Sequence, residues 1–181
     1  LLRLNSFEFS SPIIICGEEH RFEVVEQLHE IKVKGRIIVE PVSRNTATPI
    51  TLASHLCTEE HLLLVLASDH FIGDQQKFHS ALQDALRLAE KNKIVTFGIV
   101  PSSANPNYGY IKTGPKFGSG FKIDRFIEKP NKTIAKKYIK SPKYLWNSGM
   151  VACKQSIFLS EMERYCPEIH KICKRVAQNL S

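Results

Sequence analysis

Three features of the sequence predict an α/β fold with a mostly parallel sheet flanked by helices. Between residues 12 and 100, short β-branched apolar runs alternate with segments of helical periodicity. Those runs are continuously apolar, so both faces of each strand are expected to be covered, as in sheets built from βα units. After Pro101 the pattern turns to alternating strands around glycines, so a smaller antiparallel part is expected to follow.

Each element follows from local chemistry. Pro12 to Cys16 is a β-branched run that Gly17 stops. Glu18 to Glu30 reads as a helix with Phe22, Val25, Leu28 and Ile31 on one face. Gly35 breaks the chain before a strand over Arg36–Glu40, which Pro41 ends. Thr46 to about Cys57 is a helix with Pro49 in its first turn, where the missing N–H costs nothing. Leu62 to Ala67 is a fully apolar strand. Asp74 to Lys91 is a long amphipathic helix with Phe78, Ala81, Leu82, Ala85, Leu88 and Ala89 on its apolar face. Ile94 to Val100 is the fourth strand. Beyond the Asn105-Pro106-Asn107 turn signal, strands are expected over 108–112 and 121–128, around a turn holding Gly114, Gly118 and Gly120. Asn131 caps a helix to about Lys140, Trp146–Cys153 is a short strand, and Gln155–Asn179 is helical with an interruption at Pro167. There is no internal repeat, linker or low-complexity segment, so no domain boundary is expected.

Composition narrows the function classes. The 181 residues hold 43% apolar and 24% charged residues, which is ordinary globular usage and excludes a disordered or collagen-like chain. The longest apolar run has strand length, far short of the roughly 18–20 residues of a membrane span, so no membrane role is expected. Leu1–Leu4 leads into a polar segment and does not read as a signal peptide. The five cysteines are odd in number and lack a C-x-x-C, which argues against a zinc site or disulfide framework and for reduced thiols in the cytoplasm. The net charge of +7 comes from scattered Lys and Arg with no long basic block or RNP-type motif, so phosphorylated small molecules or solubility explain it and no nucleic-acid partner is expected. There is no H-E-x-x-H, G-x-S-x-G or Cys/His pairing, and zinc hydrolysis and acyl transfer have no support.

In an open α/β sheet, ligands bind where the strands end. After the second strand, Glu40-Pro41-Val42-Ser43-Arg44-Asn45-Thr46 runs into a helix, offering backbone N–H groups and Arg44 to an anion or a base edge. The plain alternative is an ordinary cap beside a solvated Arg. After the third strand come Ser68, Asp69 and His70; Asp69 at a sheet edge suits Mg²⁺, or simply a turn. Glu128-Lys129-Pro130 closes another strand, either as a surface ion pair or as a hydroxyl acceptor next to a phosphate-binding point charge. Asn147 offers both donor and acceptor, while Gly109 and Gly149 admit close backbone approach.

Taken in order, E-P-x-x-R-N-T-A from Glu40, L-L-L-V-L-A-S-D-H from Leu62, V-T-F-G-I from Val95, Y-G-Y-I from Tyr108, F-I-E-K-P from Phe126 and W-N-S-G-M from Trp146 resemble the bacterial mannose-1-phosphate guanylyltransferases, or GDP-mannose pyrophosphorylases, including those fused to a phosphomannose isomerase domain. The resemblance spans about Pro12 to His170. It implies the nucleotide-diphospho-sugar transferase fold: a Rossmann-like, mostly parallel sheet flanked by helices with a small antiparallel sugar-binding part. It implies the reaction of GTP with mannose 1-phosphate to give GDP-mannose and pyrophosphate, with Mg²⁺ as cofactor. Position by position, it implies that Asp69 holds the metal near the nucleotide and that Glu40, Pro41, Arg44, Asn45 and Thr46 lie along the guanosine. Gly109, Glu128 and Asn147 would contact mannose and Lys129 its phosphate, with Asp69 and Lys129 serving catalysis. Residues 12–101 would form the nucleotide part and 102–181 the sugar-phosphate part of one partial domain.

The resemblance also implies departures. Family members begin with a strand and a Gly-rich loop that cradles the triphosphate, and carry a later Trp- and Gly-containing motif with a second metal-binding Asp. Neither occurs here, so the chain is expected to be an internal fragment truncated at both ends, inactive by itself and poorly stable. Alternatives are a relative that uses another sugar 1-phosphate, and a non-catalytic, ligand-binding relative. A homo-oligomer is compatible with all of these.

Overall fold

The computed structural model describes residues 1–42, 46–57 and 60–180. By their contacts they form two units, one of residues 1–59 with 159–181 and one of residues 60–158. Each is described by itself.

In the first unit, β1 (Ile13–Gly17) and β2 (Arg36–Glu40) pair in parallel, from Ile13 opposite Arg36 to Gly17 opposite Glu40. Between them a 3₁₀ turn leads into α1 (Arg21–Glu30), which packs on β1. Only Leu28 of the predicted apolar face is buried; Phe22 is 72% exposed, with the Arg21 guanidinium 4.5 Å above its ring, and Val25 is exposed too. Two strands about 4.8 Å apart offer a strip narrower than the helix's apolar stripe, so one row of side chains finds cover. Helix α2 (Ala47–Leu56) packs against α6 (Pro167–Leu180). The buried hydroxyls of α2 are satisfied within its own turn: Thr51 Oγ1 donates to the Ala47 carbonyl at 2.7 Å and Ser54 Oγ to the Ile50 carbonyl at 2.6 Å. Such back-bonded hydroxyls let Thr51 and Ser54 sit on the buried face of the helix. Pro167 interrupts the terminal helix as expected, standing first in α6 after α5 (Gln155–Tyr165).

The α2–α6 contact also holds two histidines edge to face, His55 and His170, with ring centroids 4.8 Å apart. His55 Nε2 and His170 Nδ1 are buried without a hydrogen-bond partner among the described residues.

The second unit is a five-stranded sheet with two helices. Strand β7 (Tyr144–Lys154) is its centre and is longer than the sequence predicts. On one edge it pairs with β3 (Leu62–Val65) and, further along, with β5 (Tyr110–Phe117); on the other it pairs with β4 (Val95–Ile99). Val151 and Ala152 are hydrogen-bonded neighbours of both β3 and β4, and Trp146 of both β4 and β5. Strand β6 (Gly120–Ile127) pairs with β5 at the sheet's rim.

All of these ladders are antiparallel, so the mostly parallel sheet predicted from the sequence is corrected: among the described residues β1–β2 is the one parallel pair. The α/β class stands. The βα alternation does make β3 and β4 run the same way, but β7 lies between them, antiparallel to both. A continuous apolar run reports that a strand is covered on both faces and says nothing about its neighbour's direction.

Helix α3 (Gln75–Glu90) covers β3, β4 and β7 with Phe78, Leu82, Ala85 and Ala89, all buried. Ala81, placed on that face by spacing, is exposed. Asp74 caps the helix, accepting from the Lys77 N–H at 3.0 Å. The β5–β6 turn is made by Gly118, at φ +57°, and Ser119. Gly114, predicted in that turn, instead lies inside β5, where the register shifts around Pro115, which has no N–H to donate. Helix α4 (Lys132–Tyr138) starts at Asn131, whose Oδ1 accepts from the Ile134 N–H at 2.9 Å. Its Tyr138 stacks on Tyr144 at 4.0 Å between centroids, tying the helix to the start of β7.

The histidine contact predicts a pH dependence. Burial, then His170 and Lys174, disfavour the His55 imidazolium and hold its pKa below the ordinary 6.5. The unfolded chain therefore takes up a proton first as pH falls below 6.5, and the folded state loses stability in that window. Above it both states are neutral and the dependence vanishes. Thermal melts from pH 7.5 down to pH 5.5 should show a falling Tm, and His55→Phe should flatten that slope.

Candidate functional site

The pairing of β7 decides what meets at one edge of the second unit's sheet. Strand β3 runs against β7 to Val65 opposite Val151, and β4 to Ile99 opposite Trp146. Both therefore emerge toward the first half of β7, Tyr144–Gly149. Strand β5 begins there, with Tyr110 opposite Trp146, and β6 ends there, with Ile127 opposite Tyr110. Strands β5, β6 and β7 thus bring Gly109, Glu128, Lys129 and Asn147 together, and β3 ends running toward the same edge four residues before Asp69.

Asp69 lies exposed in the turn after β3, with half-buried His70 next. Gly109 precedes β5, and its carbonyl accepts the Asn147 N–H at 2.8 Å. A Cβ at Gly109 would stand 3.2 Å from Glu128 Oε2 and 3.2 Å from the Phe126 ring, so glycine keeps that carboxylate close to the backbone. Lys129 takes a positive φ of 39°, an uncommon conformation for a residue with a side chain. Its Nζ is 3.8 Å from Glu128 Oε1, and the two side chains are 66% and 63% exposed. An exposed pair at that distance is worth little, so both groups stay free to engage a ligand.

Asn147 is held more firmly. Its Oδ1 accepts from Thr96 Oγ1 at 3.0 Å and from the Gly149 N–H at 3.2 Å. Gly149 has φ +74° and open space where a Cβ would be; its backbone needs a glycine, its surroundings do not. Ser148 Oγ accepts the Met150 N–H at 3.2 Å, in the stretch of β7 where its register against β4 shifts. Tyr108 meets Trp146 edge to face at 5.1 Å.

Gly98 is the second residue, with Thr96, that sequence reasoning missed. It pairs with Asn147 across a register shift in β4. A Cβ there would lie 2.5 Å from Leu145 Cδ1 and 2.9 Å from Leu145 Cβ, so no side chain fits without moving β4 off β7. The signal was present: a hydroxyl and a glycine inside an apolar strand.

In the first unit, Glu40 ends β2 opposite Gly17 and Pro41 follows it. Thr46 stands at the start of α2; its carbonyl accepts the Ile50 N–H at 3.2 Å and its side chain makes no cap. Arg44 and Asn45 lie outside the described residues.

The donor set bears on a metal. Among the described residues no three His, Cys, Asp or Glu gather into a cage. A single exposed carboxylate, Asp69, is a hard oxygen donor of the kind Mg²⁺ uses when substrate phosphates complete its shell.

The sequence matches the nucleotidyl transferase family over residues 1–181. The chain belongs to that family. It is 44% identical over 96% of its length to a mannose-1-phosphate guanylyltransferase of Salmonella montevideo. It is 41% identical over 97% of its length to one of Escherichia coli K12. It spans 38% and 39% of those relatives. Among solved structures it superposes on one described as a mannose-6-phosphate isomerase from Helicobacter pylori. There the TM-score is 0.86 at 34% identity, covering 97% of this chain and 68% of that one. A structure described as a mannose-1-phosphate geranyltransferase from Thermus thermophilus gives a TM-score of 0.85 at 28% identity, covering all of this chain and 53% of that one. No described helix is long and apolar enough to cross a membrane.

Gly98→Ala should lower stability by about 1–3 kcal/mol, the range of overpacking, as read from denaturant unfolding. Gly73→Ala, whose Cβ would meet only the Phe71 ring at an ordinary 3.6 Å, is the control and should not.

Proposed function

We propose that the complete protein transfers a guanylyl group from GTP to α-D-mannose 1-phosphate, giving GDP-mannose and pyrophosphate. The convergence of Gly109, Glu128, Lys129 and Asn147 on one sheet edge, toward which β3 runs before Asp69, carries this reading. The names of the relatives point to the same substrates.

In this reading an oxygen of the sugar phosphate attacks the α-phosphorus of the nucleotide in line, and the bond to pyrophosphate breaks. The protein needs to do little covalent chemistry; it positions the reactants and neutralises charge. Lys129 holds the sugar's phosphate as a point charge. The exposed Glu128 carboxylate accepts from sugar hydroxyls, and the backbone at Gly109 admits the ring closely. Asn147 donates from its carboxamide. Asp69 with the nucleotide phosphates would hold Mg²⁺, which supplies charge neutralisation at the α-phosphate. Glu40, Pro41, Arg44, Asn45 and Thr46 belong to the guanosine side. Residues 12–101 would serve chiefly the nucleotide and 102–181 chiefly the sugar phosphate. Five cysteines without a disulfide suit a reducing cytoplasm, the proposed location.

Pyrophosphate release from GTP, Mg²⁺ and mannose 1-phosphate by the complete protein tests the proposal. Asp69→Asn should lower kcat by at least about 100-fold, the scale of losing several kcal/mol of charge stabilisation. Lys129→Ala should raise KM for the sugar phosphate by about 10–100-fold, the worth of one charge-assisted hydrogen bond. Faster turnover with another nucleotide–sugar pair would reassign the substrates. Ligand binding with no turnover of any pair would make the protein a binding relative.

A further inference from the structure

Thr96 is the hydroxyl in an otherwise apolar or glycine-containing strand, Val95-Thr96-Phe97-Gly98-Ile99, paired opposite Val151 of β7. Its Oγ1 lies 3.0 Å from Asn147 Oδ1 and 3.1 Å from the Met150 carbonyl, so its one proton is shared between two acceptors. The Gly149 N–H lies 3.2 Å from the same Oδ1. A backbone N–H only donates, so the atom it faces is the carboxamide oxygen and the amide's orientation is determined. With two donors on Oδ1, the Nδ2 group is left without a hydrogen bond among the described residues.

We propose that Thr96 is a positioning residue for sugar recognition. It anchors the Asn147 oxygen inside the protein, so the site presents the carboxamide's N–H donors to the ligand and reads an acceptor on the sugar, the oxygen of a hydroxyl or of the ring. The Gly149 N–H supplies one anchor from the same strand; the Thr96 hydroxyl supplies the other from β4 and makes the orientation a property of the β4–β7 pairing. This rests on the proposed function for the identity of the ligand, but the orientation of Asn147 does not depend on it.

The test compares Thr96→Val, Thr96→Ser and Asn147→Ala in the complete protein. Thr96→Val should raise KM for the sugar 1-phosphate about fivefold, the loss of one neutral hydrogen bond. It should leave kcat and the KM for the nucleotide unchanged, because the lost contact is uniform binding of one substrate. Thr96→Ser, which keeps the hydroxyl, should restore the parent value. In an Asn147→Ala background Thr96→Val should have no further effect on that KM, because Thr96 acts through Asn147. An equal rise in both backgrounds, or a parallel rise in both substrates' KM, means that Thr96 only supports the fold and overturns the proposal.

A second readout needs no turnover. The Nδ2 proton pair of Asn147, assigned in an ¹⁵N-correlated spectrum by its loss in Asn147→Ala, should shift in Thr96→Val and return in Thr96→Ser. An unchanged pair overturns the assignment whatever the substrate is. A shifted pair in a protein that turns over no sugar phosphate keeps the positioning role and rejects the proposed function. If Thr96→Val does not fold, Thr96→Ala carries the same comparisons.

Discussion

The second unit depends on one strand being paired on both edges. Strand β7 receives β3 and β5 along one side and β4 along the other, and Trp146, Val151 and Ala152 are bonded in both directions. A strand used this way cannot slip: a shift by one residue would turn Met150 and Ala152, both buried, to the opposite face. The same pairing aims the ends of β3, β4 and β6 and the beginning of β5 at one edge. The candidate site is a consequence of that register rather than of any loop's own preference.

Close approach of backbone then sharpens the edge. Gly98 lets β4 lie against Leu145, Gly109 leaves room for the Glu128 carboxylate, and Gly149, whose N–H reaches Asn147 Oδ1, carries the chain onward at a positive φ. The glycines act for different reasons, two through space and one through conformation. Around them the chemistry is uneven in rigidity. Asn147 is anchored by two donors, whereas Glu128 and Lys129 share an exposed, loose pair. The candidate site thus combines one firmly held carboxamide with two adaptable charges.

The first unit solves its packing differently. Its sheet has two strands, and much of its burial comes from α2 against α6. Thr51 and Ser54 bury hydroxyls there by bonding to their own helix, and Cys173 donates weakly to the Thr48 carbonyl at 3.7 Å. His55 and His170 meet edge to face with buried ring nitrogens, and burial there disfavours the His55 imidazolium. In the other unit Cys153 lies fully buried on β7, and burial pushes its thiol up to about 11, so it stays inert at neutral pH.

The sequence alone determined the elements and named the candidate residues. Apolar runs, the 3.6-residue spacing of α3, and the caps at Asp74 and Asn131 are local signals, and each element formed within a few residues of its expected place. Asp69, Gly109, Glu128, Lys129 and Asn147 were legible as candidates because they lie in or just beside predicted strands, and because their motifs resemble a known family in order. Arg44 and Asn45 were named as candidates by the same motifs and lie outside the described residues. Strand direction was not legible, because burial on both faces looks the same whichever way the neighbour runs. Nor were the roles of Thr96 and Gly98, whose partners Asn147 and Leu145 are about 50 positions away in sequence and become neighbours only when β4 pairs with β7. Local propensity and burial pattern are written residue by residue, whereas pairing is a choice among distant strands that only the packed chain makes.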